Sequence, residues 1–271
     1  MCVCPVCRRI WVKDLFPTLI FMVKKMNRRN FTKGLIGMGA VICTGSSVIA
    51  GVRYLGNFIK KDEAMPVIKL VGVGSAGCRA VKGLLGKRFE SSNCLLISRH
   101  MFDLEQVECQ NRIFLQEIEQ SSPFESCRDE RFISFIVEVV QSYETAIITT
   151  LRDADLIFIM AGMGWITGTM VAPLTAKICR SFKAPIAAAV TTPFSWEGAR
   201  PFENAPLGLV ELRKYTDMLT AHSLDQLFLA RQETMTLVEA FDLGVNLMQQ
   251  TVLSHADKFH RRNPESFKKD T

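Results

Sequence analysis

Histidine is scarce in this chain, with four among 271 residues. Cys4 and Cys7 form one Cys-x-x-Cys pair that no second pair answers, so a tetrahedral structural zinc site is not expected and no metal ligation by side chains is assigned. Cys78, Cys94, Cys109, Cys127 and Cys179 stand singly, which reads as a reduced protein rather than a disulfide framework. Acid is nearly absent from the first 61 residues, where Asp14 faces 11 of the chain's 33 Lys/Arg. The remaining 22 basic and 26 acidic residues make residues 62–271 mildly acidic. The basic pI near 8.9 therefore belongs to the N-terminal segment. No basic stripe with interleaved aromatics follows it, so a nucleic-acid partner is not expected.

With 48% apolar residues the chain can bury a sizeable core. Its organisation reads as four parts. Residues 1–25 precede Met26 and the run Asn27-Arg28-Arg29-Asn30-Phe31-Thr32-Lys33, and read as an N-terminal extension. Residues 26–61 contain 19 uncharged residues, 34–52, flanked by Lys and Arg; they are long enough to reach across a bilayer. The twin-arginine run before a Gly-rich apolar stretch is equally the pattern of an export signal, although no small-x-small cleavage site follows it. Membrane attachment through 34–52 with the globular part on the cytoplasmic side is the expectation, and export is the alternative. The charge bias of the flanks favours the opposite side, so the two signals conflict. Residues 62–260 form the globular domain, and 261–271 a polar tail.

Within that domain, Val67–Val73, Cys94–Ser98, Asp155–Met160 and Pro185–Val190 are short apolar runs that predict buried parallel strands. Helical periodicity predicts helices over 77–87, 131–151, 169–182 and 206–214, and a long one over 233–259. Residues 100–130 lack a period and read as loop with one helical turn. Alternation of strand and helix implies an α/β, Rossmann-like parallel sheet with helices on both faces, ending in a long central-type helix.

Two strand-to-helix loops carry glycine. The first is Gly72-Val73-Gly74-Ser75-Ala76-Gly77, and the second Ala161-Gly162-Met163-Gly164-Trp165-Ile166-Thr167-Gly168-Thr169. Glycine lets a backbone approach phosphate closely, and amides at a helix start point at an anion. The first loop alone is also a dinucleotide fingerprint, and Arg99, where such a site usually has an acid, suits a ribose 2′-phosphate. An NADP-dependent reductase is therefore a rival reading. A dinucleotide fold does not require the second loop, whereas a polyphosphate gripped by two turns does.

The stretch Ala161–Pro173 resembles the signature loop of the tubulin/FtsZ family, and Ala189-Val190-Thr191-Thr192-Pro193-Phe194-Ser195-Trp196-Glu197-Gly198 resembles its sugar-contacting loop. Val67–Gly74 and Glu211–Asp217 extend the likeness across most of residues 66–225, in order. The resemblance implies a GTP or GDP site, with Mg2+ as companion ion to the phosphates. It puts Gly72, Gly74, Ser75 and Ala76 by the phosphates, and Gly162, Met163, Gly164, Thr167, Gly168 and Thr169 around them. Pro193 and Glu197 go to the ribose, Arg200 stands one position from a sugar- or phosphate-contacting arginine, and Phe241 goes near the base. Phe241 is equally the centre of an apolar stripe formed with Val238, Val245, Met248 and Val252.

The departures shape the functional expectation. Trp165, Ile166 and Met170 replace glycines of the family signature, Ser98-Arg99-His100 replaces Asn-Thr-Asp, Pro201 replaces an arginine, and Leu224 replaces a base-contacting asparagine. The glycine-rich phosphate loop of 100–130 is not recognisable. The family's second, C-terminal domain is expected to be absent, and with it the acidic loop that reaches a neighbouring subunit's nucleotide; no catalytic residue is assigned. The resemblance thus implies a guanine-nucleotide binder that does not hydrolyse alone and pairs with an FtsZ-type protein or itself. An active GTPase completed by a partner is the alternative. Leu237, Ala240, Gly244, Leu247 and Thr251 make a second small or apolar face of the long helix, which is expected to be covered on two sides; its outer face, covered in the family, is expected to be adhesive.

Overall fold

Ile68–Val73 (β1) is the innermost strand, and every residue of it except Lys69 is buried. The structure is a computed structural model describing residues 66–119, 127–230 and 236–261. The expected extension, the apolar run at 34–52 and the polar tail beyond Arg261 lie outside those residues.

β1 is followed by Cys94–Ser98 (β2), Asn111–Phe114 (β3), Leu156–Gly162 (β4), Ile186–Thr192 (β5) and Met218–Ser223 (β6). All neighbours pair in parallel, in the order β3-β2-β1-β4-β5-β6. This is the doubly wound arrangement with helices on both faces; the strand order reverses between β1 and β4, which leaves a crevice at their carboxyl ends. The helices are Gly74–Leu84 (α1), Met101–Glu105 (α2), Gln116–Glu119 (α3), Glu130–Ser142 (α4), Glu144–Leu151 (α5), Ala172–Cys179 (α6), Ala199–Tyr215 (α7), Leu224–Ala230 (α8) and Leu237–Arg261 (α9).

Strand alternation sends residues to two cores. Leu70, Phe158, Met160, Ala187 and Ala189 meet α1 and α9 through Val81, Leu84, Met248 and Val252. Val71, Val73, Ile157, Ile159 and Val190 meet α4 to α7 through Ile136, Ile147, Ala176 and Leu212. Phe158 alone, 1% exposed, contributes about 1.5–3 kcal/mol by leaving water. Close packing of α1 over the sheet depends on Gly77, where a Cβ would lie 2.2 Å from the Met160 carbonyl.

Several expectations are corrected. The stretch 100–130 contains β3, α2 and α3. β3 was hidden because it is a four-residue edge strand with one buried side chain, Ile113. The helix read over 131–151 is two helices bent by 50°, broken at Tyr143, whose hydroxyl donates to the Phe114 carbonyl at 3.1 Å. Asp129 starts the first of them by accepting from the amides of Arg131 and Phe132. α7 begins at Ala199 and carries Pro206 inside it. β6 and α8 were unforeseen, the strand being only half-buried.

α9 starts at Leu237 because Thr236 and Glu239 form a capping box, each side chain bonding the other's amide at 3.3 and 2.8 Å. Its second small-residue face is covered, as expected. Ala240 is buried, and Gly244 packs so closely on Leu224 and Thr191 that a Cβ would meet them at 2.5 and 3.1 Å. Thr251 bonds His222 at 2.9 Å. The exposed large apolar residues of α9 are Leu237 and Val238, at its first turn.

Candidate functional site

A cleft of about 410 Å³ opens at the carboxyl ends of β2, β1, β4 and β5. Both glycine turns line it, through Gly74, Ser75 and Ala76 on one side and Gly162, Met163, Thr167 and Gly168 on the other. They touch: a Cβ on Gly74 would stand 3.5 Å from the Thr167 Cβ, and one on Gly162 3.0 Å from the Ala76 Cβ. The chain reaches this contact through a π-helical turn at Thr167–Val171, a wide turn often found at functional sites. That turn tolerates no side chain at Gly168, where a Cβ would fall 1.8 Å from the Gly162 carbonyl oxygen. α1 begins at Gly74 with no side-chain cap and no acid in its first turn, so its leading amides face the cleft's anion-favouring end.

At the other end the cleft is lined by Thr191, Pro193, Glu197, Leu224, Phe241 and Val245. Glu197 Oε1 accepts from the Phe194 amide at 2.8 Å, which closes the Ser195–Glu197 turn. Phe241 meets Phe194 and Trp196 edge-on, with centroids 5.6 and 6.2 Å away. Phe241 is therefore both packed and cleft-lining.

Four expected site residues lie outside the cleft lining. Gly72 stays within β1, where it makes room for α1: a Cβ there would meet the Gly77 carbonyl at 2.8 Å. Gly164, with φ +107°, turns the chain away against Pro193 and Pro201. Thr169 is buried and its hydroxyl accepts from the Gly164 amide at 2.8 Å, so it organises the turn from within. Arg200 is an exposed residue at the start of α7.

Trp165, Ile166, Arg79, Ser98, Arg99 and His100 line the cleft in addition. The bulk of Trp165 does not separate the two turns. Its indole, half exposed, crosses to the loop after β5 and donates to Glu197 Oε2 at 3.3 Å, while Ile166 tucks into the core. Arg79 pairs with Asp242 of α9; its helical spacing gave no functional signal in the sequence. Asp103 accepts from the hydroxyls of Ser75 and Ser98, both at 2.7 Å. Among the described residues no group of three or more His, Cys, Asp or Glu could hold a metal ion. A Mg2+ arriving with a nucleotide takes its ligands largely from phosphate oxygens and water.

A doubly wound sheet with two amide-rich turns meeting at its switch point defines an α/β domain of the nucleotide-binding architecture. A family model described as "Tubulin/FtsZ family, GTPase domain" matches residues 67–230, and the chain belongs to the tubulin/FtsZ family. Among curated relatives, it is 28% identical over 192 residues to the cell division protein FtsZ of Rickettsia bellii, covering 71% of this chain and 41% of that protein. It is 33% identical over 194 residues to the mitochondrial division protein fszB of Dictyostelium discoideum, covering 71% and 52%. The chain thus spans about half the length of the curated relatives it matches.

An empty FtsZ dimer from M. jannaschii shares the fold, with TM-score 0.61 at 24% identity over 79% of this chain and 59% of that one. So does CetZ2 from Haloferax volcanii, with TM-score 0.57 at 20% identity over 70% and 58%. This is an FtsZ/tubulin-like GTPase domain, and nothing in the comparisons supports the reductase reading.

Proposed function

We propose that the cleft binds a guanine nucleotide, with phosphates over Gly74–Ala76 and Thr167–Gly168, ribose at Glu197 and base beside Phe241 and Leu224. The observation that carries this reading is the contact of the two glycine turns, which aims two sets of backbone amides at one volume. Thermal melts of the full chain with GTP, GDP, ATP and NADPH test it. Stabilisation by guanine nucleotides alone is expected; stabilisation by NADPH alone, or by none, overturns it.

The domain acts by association with an FtsZ-type protein or a second copy, and does not turn over GTP by itself. Glu197 is the single carboxylate lining the cleft among the described residues. Both its oxygens are engaged, by the Phe194 amide and the Trp165 indole. No carboxylate in the cleft is therefore left to orient an attacking water, and another subunit must supply it. Part of the same reading is attachment of the chain to a membrane through residues 34–52, on the cytoplasmic side where nucleoside triphosphate is found. Fractionation and protease treatment of spheroplasts test that placement; a globular domain digested from outside contradicts it.

A further inference from the structure

We propose that Arg99 is the ligand for a terminal, third phosphate, so that this cleft distinguishes GTP from GDP by a guanidinium. The inference rests on the guanine-nucleotide reading above. Strand order sets the polarity of the cleft: Glu197 follows β5, the two glycine turns follow β4 and β1, and Arg99 follows β2. A nucleotide with its ribose at Glu197 and its phosphates over the glycine turns points the free end of its phosphate chain toward β2.

Arg99 is built for an anion at that end. Its Nη1 is shielded from solvent and has no hydrogen-bond partner, while its Nε bonds the His100 Nε2 at 3.1 Å. Arg99 lines the cleft with one side of its guanidinium fork held and Nη1 covered without a partner, a cost in free energy that is relieved when the side chain turns toward an acceptor in the cleft. No acid competes for it there. Asp103 is engaged by two serine hydroxyls, and the other lining guanidinium, Arg79, is already neutralised by Asp242. A phosphate oxygen gives Arg99 a charge-assisted bond, joined by the uncapped first-turn amides of α1. GDP ends before β2 and gains little from it.

The test is calorimetric titration of GTP and GDP into the full chain and into Arg99→Ala and Arg99→Lys. Arg99→Ala is expected to weaken GTP by roughly tenfold to a hundredfold and GDP by less than about threefold on the same scale. Arg99→Lys, which keeps the charge but not the fork, falls between. Equal loss for both nucleotides, or no loss for either, overturns the inference while leaving the guanine-nucleotide reading standing. Failure of the unsubstituted chain to bind any guanine nucleotide removes both.

Discussion

The indole Nε1 of Trp165 donates to Glu197 Oε2 across 3.3 Å, tying the β4 turn to the loop after β5, both of which line the cleft. Trp165 stands where the resemblance to the family implies glycine, so the strap is made by a side chain that the family pattern does not call for. It occupies the carboxylate that a ribose would use, and a sugar must displace it. Trp165→Phe keeps the ring and removes the donor. It is expected to tighten GDP binding by roughly threefold to tenfold, the scale of one neutral hydrogen bond, as read by titration calorimetry. Unchanged or weaker binding contradicts the competition.

Gly168 and Gly86 separate close approach from backbone conformation. A methyl at Gly168 collides with the Gly162 carbonyl at 1.8 Å, whereas one at Gly86 meets nothing within 4 Å and faces only the strain of φ +75°. Gly168→Ala is expected to destabilise the fold by about 3 kcal/mol or more, and Gly86→Ala by about 1 kcal/mol. Urea unfolding of the two variants checks the order, and equal losses would mean that the β4 turn rearranges freely.

The buried thiols give the fold an alkaline limit. Burial pushes Cys94 and Cys179 up to about 12, and raises Cys78, Cys109 and Cys127 as well. In the unfolded chain these thiols ionise near 9.0, while in the fold burial holds Cys94 and Cys179 protonated well above that. Their contribution is thus intact below pH 9 and is lost as pH climbs toward the folded value, by about 1.4 kcal/mol per pH unit for each fully buried thiol. Denaturation from pH 8 to 11 should show falling stability with a shallower slope for Cys179→Ala. Peptide-mapped alkylation should leave all five thiols unmodified until unfolding; rapid labelling of Cys179 in the native state contradicts its burial.

Mixed with a complete FtsZ-type protein, the chain is expected to alter filament assembly measured by light scattering. Alone, it is expected to show no GTP turnover that rises with its own concentration. Unchanged assembly in the mixture, or concentration-dependent turnover of the chain by itself, contradicts partner dependence.

The sequence disclosed the strands that carry the site because β1, β2, β4 and β5 are buried on both faces and read as apolar runs, that of β1 interrupted only by Lys69. The edge strands β3 and β6 escaped because their sides toward solvent dilute that signal. The glycine turns were legible as turns, yet Gly164 and Thr169 shape their loop from inside rather than facing the cleft. That distinction depends on a positive φ and a side chain folded onto its own backbone. Arg79 and the orphaned nitrogen of Arg99 depend on which helices and strand ends meet, and no local pattern carries it.

Whether amides from two turns grip one phosphate chain is measured by a crystal structure of the full chain with GDP. Phosphate oxygens are expected within hydrogen-bond distance of the amides of Gly74–Ala76 and of Thr167–Gly168 together, with the guanine beside Phe241 and the Trp165 indole released from Glu197. A nucleotide held by one turn alone, or density elsewhere on the domain with the strap still closed, would contradict it.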